Sequence, residues 1–180
     1  MRTKMLVAVI AAGAALTVLL VASEAGQRNR VSPHESVSAT VHGAALTINY
    51  GRPSVRGRAI FGALVPYGIV WCPGADEATT LESDKPLRFG ALAVPPGPHT
   101  IWMLPTAEQW TLVVSKEPSG FHTRYNANAD LGRVPLQKAI TDRHVEQLTF
   151  TIRSDQTTPN GTITMAWDTV VVSAPFSVVQ

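Results

Sequence analysis

The chain's 180 residues hold 15 Lys and Arg against 13 Asp and Glu, and a single cysteine. Without residues 1–25, which contain Arg2, Lys4 and Glu24, 13 basic and 12 acidic side chains remain, so a sequence pI near 8.9 reflects a slight excess and not a basic face. That balance argues against nucleic acid as a partner, since such binding rests on many phosphate contacts, and one thiol excludes an internal disulfide.

At the start of the chain Arg2 and Lys4 precede an apolar run, residues 5–22, broken only by Gly13 and Thr17. Ser23-Glu24-Ala25 places small residues where a signal peptidase inspects. Residues 1–25 are therefore expected to be a signal peptide cleaved after Ala25. The run also reaches the ~18 residues at which a spanning helix begins, so an uncleaved anchor in the inner membrane is the alternative. Either way the remainder is expected outside the cytoplasm, periplasmic or extracellular. Residues 26–33 are polar and aperiodic and read as a tether. Residues 34–180 have the length of one domain with an adequate core.

Most periodic segments alternate with a period of two, the signature of a half-buried strand. Val37, Ala39 and Val41 alternate with Ser38, Thr40 and His42; after Gly43, Leu46, Ile48 and Tyr50 do the same, and the two segments predict a hairpin. Strands are predicted next at 68–71, 77–82, 87–94 and 99–104. Trp110, Leu112 and Val114, then Leu148, Phe150 and Ile152, then Ile163, Met165 and Trp167 mark later inward faces, and a last strand is predicted at 169–178. Pro95-Pro96-Gly97-Pro98 and Pro159-Asn160-Gly161 supply turns. The best helical candidate is 130–140, despite Pro135. The pattern predicts an all-β, antiparallel β-sandwich of roughly nine to eleven short strands, with an open barrel as the alternative.

Between the hairpin and the next strands lies a long segment rich in Gly and Pro, from Tyr50 to Thr80, which reads as an ordered loop and hence a usual place for function. It holds Arg52, Arg56 and Arg58 in seven positions and ends in Asp76-Glu77; no acidic residue lies between Glu35 and Asp76. Guanidinium groups suit carboxylate or phosphate, so the three arginines could form an anion receptor. Alternatively they tie the loop down, through Asp76, Glu77 or loop carbonyls. The expectation is that at least two are ties and that one, Arg56 first, is left to meet a ligand. An acidic small molecule or glycan is the partner this implies.

Other chemistry is thinner. Asp76 and Glu77, adjacent on a predicted strand, point to opposite faces, and a glycosidase would need a second carboxylate such as Asp130 or Asp168. Histidines 34, 42, 99, 122 and 144 are dispersed and mostly expected in solvent, with no metal-ligand spacing; no cofactor and no catalytic residues are assigned. Cys72, beside Val70 and Trp71, is expected to be buried. Trp71, Trp102 and Trp110, with Tyr50, Tyr67 and Tyr125, could form a stacking platform for a sugar, or fill the core of the sandwich; Trp102, on a strand apolar on both sides, is a candidate platform if exposed.

The order Tyr50-Gly51-Arg52-Pro53, Arg56-Gly57-Arg58, Ile60-Phe61-Gly62, Leu64-Val65-Pro66-Tyr67-Gly68, Val70-Trp71, Gly74-Ala75 and Glu77-Ala78-Thr79, continued by Trp110-Thr111-Leu112, Asp130-Leu131, Arg133-Val134-Pro135 and Trp167, resembles the bacterial exported family catalogued as domain of unknown function 2911. The resemblance implies an exported all-β domain and brings no established activity. Members usually carry Arg after the Trp and Asn before the Glu, where this chain has Cys72 and Asp76. The candidate binding residues are thus Arg52, Arg56, Arg58, Asp76, Glu77 and Trp102. The expected role is a non-enzymatic binding or scaffold module of the cell envelope, with a hydrolase or lyase acting on acidic envelope glycans as the alternative.

Overall fold

A computed structural model describes residues 32–155 and 157–180. The expected signal or anchor segment, 1–25, and all but the end of the tether lie outside the described residues. The strands are β1 (His34–Val41), β2 (Ala44–Gly51), β3 (Thr80–Ser83), β4 (Leu87–Phe89), β5 (Leu92–Val94), β6 (Gly97–Pro105), β7 (Trp110–Ser115), β8 (Asp130–Ser154) and β9 (Asn160–Val178). They form one antiparallel sheet, ordered β1-β2-β3-β6-β7-β8-β9-β4-β5, which does not close. The protein is all-β: the one helical element among the described residues is a 3₁₀ turn at Ala127–Ala129. None of the described residues forms a helix long and apolar enough to cross a membrane.

The first hairpin follows the expectation. His42 and Gly43 are both left-handed, with φ of 47° and 72°, and join Val41 to its partner Ala44. A two-residue turn of that hand matches the twist of the paired strands.

Several other elements differ from expectation. Segment 87–94 is two strands, β4 and β5, turning at Gly90 (φ 58°). Segments 68–71 and 77–82 make only single bridges, Trp71 to Met103 and Glu77 to Phe121, before β3 begins at Thr80. Residues 130–140 form no helix; they are the first part of β8, where Leu136, Pro135 and Val134 pair with Trp110, Thr111 and Leu112 of β7. A waiting strand edge outweighs weak helical propensity.

Two of the strands are long, 25 residues in β8 and 19 in β9, because strands predicted separately run together. Their ladder shifts register on either side of Val145, opposite Asp168, whose φ is 55°. Thr164 and Ser173, nine residues apart, would be about 30 Å apart on a straight strand, yet their hydroxyls lie 3.2 Å apart. The strand therefore turns back on itself near Asp168, and Val178 N donates to Pro159 O.

The main core gathers Leu46, Ile48 and Tyr50 of β2 with Leu148 and Phe150 of β8 and Met165 and Trp167 of β9. Tyr50 sets an edge against the Phe150 ring at 5.0 Å while its Oη accepts from Phe150 N. A second, small cluster of Cys72, Ala78, Trp102 and Val113 lies apart from it. The second cluster explains why the strand around Trp102 is apolar on both sides: the loop before β3 covers what would otherwise be its solvent face. Trp102 is 2 % exposed, packs 5.2 Å from Tyr125 and donates to Thr100 Oγ1. It offers no surface to a sugar.

Candidate functional site

The three arginines part company. Arg52, just past the end of β2, sends Nε to Leu148 O at 3.0 Å, one terminal nitrogen to Glu35 at 2.5 Å and the other to Thr149 Oγ1 at 2.8 Å. It joins β1 to β8 as a partly buried three-pronged tie. Arg58 donates through Nε to Val55 O and through a terminal nitrogen to Ser54 O, so it braces its own turn. Arg56 sits at the tip of that turn: with Gly57 it takes left-handed φ values of 50° and 67°, and Arg58 N closes the turn on Val55 O. Its amide donates to Glu146 Oε1 at 2.9 Å.

Arg52 and Arg58 take partners other than Asp76 and Glu77. The carboxylate on Arg52 is Glu35, and the acceptors on Arg58 are carbonyls. Asp76, at φ 65°, uses its carbonyl to receive His122 N and face His122 Nδ1. Glu77 Oε2 lies 3.8 Å from His34 Nδ1. Losing Arg52 should cost about 2 kcal/mol, because three bonds from a charged donor vanish and Glu35 loses its ion-pair partner. Urea denaturation of Arg52→Ala checks this; an unchanged midpoint would refute it.

What the sequence does bring together is a cleft of about 390 Å³. Arg56, Arg58, Leu64, Trp71, His122 and Trp167 line it, with Ser32, the first described residue, also at its wall. Trp71 stacks on Trp167 with centroids 5.9 Å apart and planes 12° from parallel, and Phe61 meets both edge-on. Trp167 is buried and Trp71 only partly, so the exposed part of the cleft's aromatic wall is Trp71. Cations above an aromatic wall suit a planar anion or a sugar acid. None of the described residues lining the cleft is a carboxylate. Sequence reasoning named Trp71 among the candidate platform aromatics but not its stack on Trp167, which only the fold brings together, and it missed His122.

Behind the cleft rim lies a cluster also missed. The irregular middle of β8 places His144 between two carboxylates, Nε2 3.1 Å from Glu146 and Nδ1 3.2 Å from Asp168. Hydrogen bonding to Glu146 first, then to Asp168, raises the His144 pKa above its ordinary 6.5. The Arg56 amide first, then His144, lowers Glu146 below 4.5. Stability from the raised histidine is full below pH 6.5 and is lost as pH rises through its folded value; that from Glu146 is full above 4.5 and is lost as pH falls through its lowered value. The bridge is thus complete between those limits. An NMR titration should place His144 above 6.5 and move it back toward 6.5 in Glu146→Gln; a midpoint already at 6.5 would remove the bridge.

The remaining ionisable groups act as ties. Tyr125 Oη donates to Asp130, and Arg133 donates to both. His99 is buried, against the expectation for the histidines, with its nitrogens 2.9 and 3.0 Å from Ser115 O and Pro95 O. Cys72 is fully buried, its sulfur receives Thr79 N, and burial pushes its pKa up to about 11. Among the described residues there is no group of three His, Cys, Asp or Glu that could hold a metal ion.

A family model described as "Protein of unknown function (DUF2911)" matches residues 32–176. The chain belongs to this family. No curated protein and no solved structure matches it. The match spans the sheet and the cleft together, so the loop from Arg52 to Glu77 is part of the family's domain.

Proposed function

We propose that this member of the family is an exported, non-enzymatic binding module whose cleft takes an acidic ligand with a flat face, such as a sugar acid of an envelope glycan. The observation that carries the reading is the convergence of Arg56 and Arg58 on the cleft walled by Trp71. Arg58 is braced by carbonyls and Arg56 is fixed by its turn, so ligand binding would cost little ordering of the chain. The hydrolase alternative draws no support from the cleft, because glycoside hydrolysis uses two carboxylates and neither Asp76 nor Glu77 lines it.

The test is titration with a uronic-acid disaccharide and its neutral counterpart, read by tryptophan fluorescence. The acid should bind and the neutral sugar should not, and added salt should weaken binding. Arg56→Ala should lower affinity roughly tenfold, the loss of one charged contact, while the turn keeps its backbone bond to Glu146. Equal behaviour of both sugars would overturn the proposal.

A further inference from the structure

The cleft opens beside a surface that a soluble domain would not be expected to leave bare. Residues 59–75 carry no charge, and within them Leu64, Tyr67 and Ile69 are 48, 42 and 58 % exposed. Phe121 and Ile140 are the other large exposed apolar side chains among the described residues, so three of five fall within six positions of one loop. The loop is firmly held. Val65 N donates to Ile60 O, Gly68 N to Pro105 O and Trp71 N to Met103 O, and Ile60 and Val65 are buried beneath. The apolar tips are thus presented outward by a fixed frame, which marks an interaction surface.

We propose that this face docks on an anionic lipid bilayer, with Leu64, Tyr67 and Ile69 entering the interfacial layer and Arg56 and Arg58 meeting lipid phosphates. Leu64 lines the cleft with both arginines, so the exposed apolar stretch and the cations adjoin at that residue. Aliphatic and tyrosine side chains beside arginine match the polarity gradient at a membrane surface. The stretch 59–75 that carries the apolar tips has no acidic side chain to oppose negative lipid, and the carboxylate beside Arg56, Glu146, is engaged by the Arg56 amide and by His144.

The path of the chain adds a separate argument. Ser32 stands at this cleft, and only residues 23–31 separate it from the apolar run at 5–22. Nine residues reach at most about 30 Å. Held in a membrane, that run would keep this face close to the bilayer. The inference rests on the cleft reading only in using the same two arginines as anion contacts.

The test uses the full chain carrying Ile69→Cys with an environment-sensitive fluorophore, and a second chain labelled at Arg88→Cys on β4. Buried Cys72, with its raised pKa, will not compete for label. Mixed phosphatidylglycerol and phosphatidylcholine vesicles should shift emission at position 69 to the blue with roughly a twofold rise, and phosphatidylcholine alone should not. Position 88 should stay in water on both, although both chains carry the same N-terminal run. Adding Leu64→Ser and Tyr67→Ser to the first chain should abolish the shift. Equal spectra at 69 on the two vesicles, or equal behaviour of 69 and 88, would overturn docking. Uronate binding in solution without a vesicle shift at 69 would leave the cleft reading standing and remove the docking; the reverse result would do the opposite.

Discussion

Gly51→Ala is expected to lower stability by about 3 kcal/mol, at the upper end for added bulk in a packed site. A Cβ at Gly51 would come 2.2 Å from Ala75 O and 3.0 Å from Ala75 C. These are backbone atoms, so no rotamer change makes room. Gly74 lies against the same strand end, its Cβ position 3.4 Å from Gly51 O, and is closed in from another side by Thr79 Oγ1 at 2.5 Å. The return leg of the loop thus lies backbone against backbone on the end of β2, and separating them would also move Gly74 and Ala75 in the cleft wall. Gly57 is the control: no atom lies within 4 Å of its Cβ position, and only its φ of 67° opposes a side chain, worth about 1 kcal/mol. Urea midpoints of the two variants measure the difference. A Gly51→Ala protein within about 0.5 kcal/mol of the parent would mean that this contact is not tight.

The hairpin and the inward faces of β2, β7, β8 and β9 were legible because alternation records which side of a strand is buried. The helix candidate at 130–140 misled because the deciding factor, the free edge of β7, is remote in sequence. Trp102 was ambiguous for a related reason: a strand covered on both faces loses its alternation, and what covers it is the loop around Cys72. In the loop, sequence suggested that the arginines need partners in space, and Arg52 and Arg58 are held by Glu35, Thr149 and backbone carbonyls. It did not show which partners, since Leu148, Thr149 and Glu146 reach the arginines only after β8 has bent. His144 gave no signal at all, its carboxylates lying two residues away on an irregular stretch and across the ladder on β9. Cys72 and Asp76, at opposite ends of the same short segment, also part company. Cys72 is core, so a cation there would have to leave the second cluster or be paired within it; Asp76 is at the surface end of the loop, held through its carbonyl.

The second large effect is expected at the cleft wall. Trp71→Ala should cost about 3 kcal/mol, the lower end for a deleted aromatic because the ring is partly exposed. It removes the stacked face against Trp167 and the edge contact with Phe61, whose other edge contacts run to Trp110 at 4.9 Å and Trp167 at 6.0 Å. The backbone bridge from residue 71 to Met103 survives the change, so the loop keeps its path while its aromatic stack collapses. Binding of an acidic sugar should then fall more than in Arg56→Ala, since the flat wall and the packing behind it are lost together. Trp71→Phe separates the two contributions: it keeps a ring in the stack and should restore most of the stability, but it presents less face to a ligand and should restore affinity only in part. Recovery of stability and affinity in the same proportion would show that Trp71 acts through the fold alone.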